Sequence, residues 1–100
     1  MDLIFKKPEE VVALLCERLR KERLYLKMTQ ADVAARAGIS VNTVSNLEAS
    51  RNVSFENLVR VAMVLGRLKE LEELFKPNLN SIDDILRYES NTTRKRIKRK

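Results

Sequence analysis

Five residues in one short stretch carry the side chains best suited to recognition: Val41, Asn42, Thr43, Ser45 and Asn46. Together they offer two amides, two hydroxyls and one branched, methyl-bearing group, with no charge among them. An asparagine donates and accepts at once, so it can pair bidentately with adenine N6 and N7, and a small apolar group can touch the thymine methyl. A surface of this kind solubilises poorly and reads base edges well.

The elements that position these residues follow from the surrounding sequence, TQADVAARAGISVNTVSNLE, residues 29–48. Thr29 suits the N-cap of a first helix, with Asp32 at the third helical position completing a capping-box-like pair. Val33, Ala34 and Ala37 recur at helical spacing on one side. Gly38 stands where that helix must stop, because glycine enters the left-handed conformation without steric cost. Ile39 follows as an apolar plug. Ser40 caps a second helix, from which Val44 and Leu47 point inward while the five recognition residues mostly face out. This is the pattern of a helix-turn-helix, whose second helix enters the major groove. An ordinary helical hairpin in a small bundle is the alternative. The full ordered set of residues favours the DNA-reading arrangement over it.

The chain has 100 residues, which suits one small domain with one core. With no His and a single Cys, it excludes a zinc site built on His or several Cys, an internal disulfide and any His-dependent catalytic triad. No catalytic residue, metal ligand or cofactor is expected. Cys16 lies inside a helical pattern and is expected to be a small buried apolar residue. No apolar run approaches membrane-spanning length, and MDLIFKKPEE lacks the layout of a signal peptide. A cytoplasmic, nucleoid-associated protein is therefore expected.

The net charge is +6, and its placement matters more than its size. Residues 94–100 hold six cations: Arg94, Lys95, Arg96, Lys98, Arg99 and Lys100. The other 93 residues carry fourteen basic and fourteen acidic groups, a net of zero. Within them, residues 18–60 hold eight Lys or Arg against four acids. The middle of the chain and the tail are thus the anion-binding candidates, and the acid-rich distal helices are expected to turn away from nucleic acid. Three readings of the tail stay open. It is an arm reaching phosphate or the minor groove, a contact for an acidic protein surface, or a solubilising end.

Taken in order, residues 1–7 form an N-terminal arm whose Leu3, Ile4 and Phe5 are expected to pack rather than stay solvated. Pro8 opens a helix to about Leu24, with Glu9 and Glu10 in its first turn and a main stripe of Val12, Leu15, Cys16 and Leu19. Its basic half, with Arg18, Arg20 and Lys21, is either a solvated face or a phosphate-facing flank. Ser54 caps a fourth helix, Phe55 to Leu65, with Leu58, Ala62 and Leu65 inward and Gly66 at its end. A fifth helix places Leu68, Leu71, Leu74 and Phe75 inside and stops at Pro77. Five helices are expected to close the core in a body spanning residues 8–76. Ser81 caps a brief sixth helix within residues 77–88, with Ile82, Ile85 and Leu86 on one face. Residues 89–100 carry no core-forming pattern and are expected to be a basic, disordered tail.

Residues 20–66 resemble the Cro/CI-like, or XRE, helix-turn-helix family. The resemblance rests on Arg20 and Arg23, Thr29-Gln30, Val33-Ala34, Ala37-Gly38-Ile39-Ser40, Val44, Leu47-Glu48, and Leu58, Ala62, Leu65 and Gly66. It implies an all-α, lambda-repressor-like bundle of five helices binding double-stranded DNA as a two-fold homodimer on a near-palindromic operator. By position it implies Val41, Asn42 and Asn46 as base readers, Thr43 and Arg51 as phosphate contacts, and Gln30 as a phosphate or groove-edge contact. Ser45 lies on the same face. Arg23 and Glu48 resemble the family's internal ion pair. The chain has Lys27-Met28 and Ala49-Ser50 where the family often has glycine, so the turns there are expected to differ slightly. Outside the motif, the fifth helix, SIDDILRYES and the basic end resemble HipB-type antitoxins. That likeness implies a repressor of its own toxin–antitoxin operon, or an adaptor whose main role is to bind a HipA-like kinase.

Overall fold

The computed structural model describes residues 6–93, and all regular structure among them is helical. Six helices follow in order: α1 (Pro8–Tyr25), α2 (Gln30–Ala37), α3 (Val41–Glu48), α4 (Phe55–Val64), α5 (Leu68–Glu73) and α6 (Ile82–Thr92). Helices as short as α2 and α3 are marginal alone in water, because the cost of nucleation is spread over few hydrogen bonds. Their ends and their packing must hold them.

The N-termini of α2, α3, α4 and α6 are held by the expected side chains. Thr29 Oγ1 accepts from the Asp32 N–H at 3.0 Å, and Asp32 returns the bond by accepting from the Thr29 N–H at 2.9 Å. Ser40 Oγ accepts from the Thr43 N–H at 3.0 Å, Ser54 Oγ from the Asn57 N–H at 3.1 Å, and Ser81 Oγ from the Asp84 N–H at 3.1 Å. Each satisfies an otherwise orphaned amide of a first turn.

The C-termini of α1 to α4 share one turn. A residue with positive φ ends each, and the next N–H reaches back to a carbonyl in the last turn: Met28 to Arg23 at 3.1 Å, Ile39 to Ala34 at 3.1 Å, Arg51 to Asn46 at 2.7 Å, and Arg67 to Ala62 at 3.0 Å. This is the long bond of a Schellman motif. The left-handed residues are Lys27 (φ 57°), Gly38 (φ 72°), Ser50 (φ 60°) and Gly66 (φ 79°). Two turns that were expected to differ for want of glycine therefore keep the glycine-type geometry, on a lysine and a serine.

The core lies among α1 to α4. Cys16, Val33, Ala34, Val44, Leu47, Val61 and Leu65 form its buried cluster, with Leu19, Met28, Ile39, Val53, Leu58 and Val64 packed against it. Ala37 and Ala62 are buried too. Burial pushes the Cys16 thiol pKa up, as a desolvated apolar position requires.

Several expectations need correcting. Val12 and Leu15 are exposed, so the inward side of α1 runs through buried Cys16 and Arg23, with half-buried Leu19 between them. Val61, absent from the sequence-based core, is fully buried. The fifth helix does not help to close the core: α5 buries no residue, and Leu68, Leu74 and Phe75 are exposed. The sixth helix is eleven residues long and includes residues 89–92, which were expected to be disordered. It also buries nothing. The N-terminal residues 1–5 and the cationic residues 94–100 lie outside the described residues.

Candidate nucleic-acid interface

The second helix of the motif is fastened from inside and from both ends. Inside, Val44 and Leu47 are buried against Val33, Ala34 and the neighbouring core. At its start, Ser40 caps it, and the Ser40 and Thr43 hydroxyls stand 2.7 Å apart. At its end, Glu48 is held by a buried network. Arg23 donates from Nε to Glu48 Oε2 at 2.6 Å and from Nη2 to Oε1 at 3.0 Å. Its Nη1 donates to the Met28 carbonyl at 2.8 Å. Gln30 Nε2 adds a bond to Glu48 Oε1 at 2.9 Å.

This network ties α1, the start of α2 and the end of α3 into one unit. Its geometry is the planar, two-bond fork that guanidinium and carboxylate make best. Arg23 is only 7% exposed, so the pair has little solvent to screen it. Burial pushes the Glu48 carboxyl up, but the hydrogen bonds from Arg23 and Gln30, with the positive charge of Arg23, outweigh it and hold the group below the ordinary carboxylate value. Without Arg23, an acid at a helix C-terminus would be unfavourable.

The residues read from the sequence as recognition groups lie along one outer surface of α3, with graded access. Val41 and Asn42 are exposed, while Thr43, Ser45 and Asn46 are half-buried. Arg51 is exposed immediately beyond the left-handed turn that ends α3. Gln30 is half-buried, and one of its amide hydrogens is committed to Glu48. The second hydrogen remains for an outside acceptor.

Arg60 was not singled out from the sequence. Its Nη1 donates to the Ala37 carbonyl at 3.2 Å, at the end of α2, while Glu56 holds its Nε and Nη2 at 3.1 and 2.9 Å. It thereby ties α4 to the turn of the motif. The only sequence signal was a Glu–Arg pair at i and i+4 on α4, which reads as a solvated face.

Two short helices, packed face to face, capped at both starts and joined by a left-handed Gly38 turn, define a helix-turn-helix DNA-binding domain. A family model described as Helix-turn-helix matches residues 19–74, more than half of the chain, and the chain belongs to that family, the XRE group of Cro/CI-like proteins. The protein is thus a DNA-binding transcription regulator. No described helix is long and apolar enough to cross a membrane. Among the described residues, no group of three or more His, Cys, Asp or Glu could hold a metal ion.

Proposed function

We propose that the protein is a sequence-specific repressor that binds a near-palindromic operator as a homodimer and blocks a promoter, its own among them, within a toxin–antitoxin operon. The observation that carries the reading is the contrast across α3: a buried, doubly fastened inner side and an uncharged outer side of amides, hydroxyls and Val41. In this reading Asn42, Asn46 and Val41 choose the sequence. Gln30, Thr43 and Arg51 bond phosphates and set the register. The six cations of residues 94–100 add salt-dependent affinity for the same DNA. Two copies of α3 enter successive major grooves about 34 Å apart. A HipA-like kinase is the candidate protein partner, and co-purification with the product of a neighbouring gene tests that part.

The main test is fluorescence anisotropy of the protein on its own upstream promoter and on a shuffled duplex, at physiological salt. Binding roughly a thousandfold or more tighter to the promoter, at two chains per site, is the expected result. Equal, salt-sensitive binding to both duplexes overturns specific repression at that promoter. In the same assay, Asn46→Ala is expected to cost about 1–3 kcal/mol on the selected site and to relax preference at one base pair. An unchanged preference in a binding-site selection removes Asn46 from the readers.

A further inference from the structure

Two apolar features of this chain are left uncovered. One is a trough of about 440 Å³ between α1, α4 and α5. Half-buried Leu19, Leu58 and Leu71 lie at its base, and the exposed Leu15, Phe55 and Phe75 flank it. The other is α6, which buries none of its residues and exposes Ile82, Ile85 and Leu86 at helical spacing. No residue of α6 lines the trough. Exposed apolar surface of this kind marks interaction sites.

Charge matches the two features. Arg18 and Arg67 stand at the trough, and Arg67 is already paired with both Glu22 and Glu70. Arg18 has no ion-pair partner among the described residues, and α6 begins with Asp83 and Asp84. The chain's own α6 leaves the trough open: none of its residues lines it and none is buried. Residues 74–81 leave α5 through Phe75, at φ 58°, and Pro77, and eight connecting residues reach up to about 28 Å, far enough to carry the helix to a second copy.

We propose that α6 of one copy seats in the α1–α4–α5 trough of a second copy, and reciprocally, so that the dimer is held by exchanged C-terminal helices. The inference rests on the dimeric reading above and names its interface. The exchange is isologous and closes at two chains. The area suffices. Phe55 and Phe75 are 64% and 91% exposed, and at roughly 200 Å² per phenylalanine their covering in both copies removes on the order of 600 Å². Ile82, Ile85 and Leu86 from each helix, with the rest of the trough, carry the total past the roughly 1,000 Å² that a specific interface needs.

Sedimentation velocity over a concentration series tests the exchange with two variants of the full chain. Ile85→Asp with Leu86→Asp breaks the helix face and leaves the trough intact. Phe55→Asp with Phe75→Asp breaks the trough and leaves α6 intact. Far-UV circular dichroism checks that both fold, and Phe75→Asp alone, at a site that is almost fully exposed, replaces the second variant if it does not. The expected result is a dimeric unmodified chain, monomeric variants, and an equimolar mixture of the two that associates at lower concentration than either alone, because one intact helix then meets one intact trough. A mixture no tighter than its components overturns the exchange, as do variants that remain dimeric. In both cases two unmodified chains per operator would leave the dimeric repressor standing. An unmodified chain that is monomeric in solution and binds the operator singly overturns both.

Discussion

The helix-turn-helix body and the C-terminal helices are built with the same local grammar and end in opposite states. Both α3 and α6 start at a serine cap whose Oγ accepts from the N–H three residues on. Both have apolar residues at helical spacing. Yet α3 buries Val44 and Leu47, whereas α6 buries nothing. Capping and periodicity make a helix and give it a face. Only a complementary surface decides whether that face enters a core. The body supplies such a surface through α1, α2 and α4, whereas α6 is seated against none among the described residues.

The contrast can be broken most sharply at the buried ion pair. Arg23→Ala leaves the Glu48 carboxylate buried and unpaired, and is expected to cost about 3–5 kcal/mol in urea unfolding. Replacing both partners by apolar residues, as in Arg23→Met with Glu48→Leu, is expected to cost far less. A double variant as damaged as the single one would show that the pair does more than satisfy its own burial. The pH dependence follows from the same pair. The folded-state pKa of Glu48 lies below its ordinary 4.5. Its contribution is therefore complete above the unfolded value and is lost as pH falls from about 4.5 through the lower folded value. The urea midpoint is expected to fall over that acid range in the unmodified protein, and to fall less in the apolar double variant.

Smaller changes sharpen the comparison between the two regions. Ser40→Ala removes the cap of α3 and is expected to cost about 1 kcal/mol of global stability. Ser81→Ala removes the same bond from α6 and is expected to leave the global transition of the body in place, measured at protein concentrations where the chain is monomeric. Equal losses would mean that α6 is part of the body's cooperative unit. Small effects are also expected at the left-handed turns. A non-glycine residue there costs about 1–2 kcal/mol in conformation, partly offset by the greater freedom of glycine in the unfolded chain. Lys27→Gly and Ser50→Gly are each expected to stabilise by roughly 0.5 kcal/mol, whereas Gly38→Ala destabilises through its φ of 72°. The space beside Gly38 is not the obstacle, since an added Cβ would meet Arg60 Nη1 at an ordinary 3.7 Å.

What could be read along the chain was what local chemistry dictates. Caps at Thr29, Ser40, Ser54 and Ser81, the stop at Gly38, and the inward Val33, Ala34, Val44 and Leu47 all follow from preferences that act within a turn or two of helix. The Arg23–Glu48 pair spans 25 residues. It was accessible only because a resemblance placed both residues and because an acid at that helix end needs a cation. Nothing local assigned Gln30 to the same carboxylate, or Arg60 to the Ala37 carbonyl.

The sequence by itself therefore determined the helices, their capped starts and the chemistry of the outward side of α3. Tertiary structure decided which apolar faces outside the helix-turn-helix are buried. Val12, Leu15, Leu74 and Phe75 have the same apolar character as the residues of the core, yet they line an open trough. Amphipathic periodicity records that a face is apolar, but its burial depends on the shape and position of a partner element that lies elsewhere in the chain or on another copy of it.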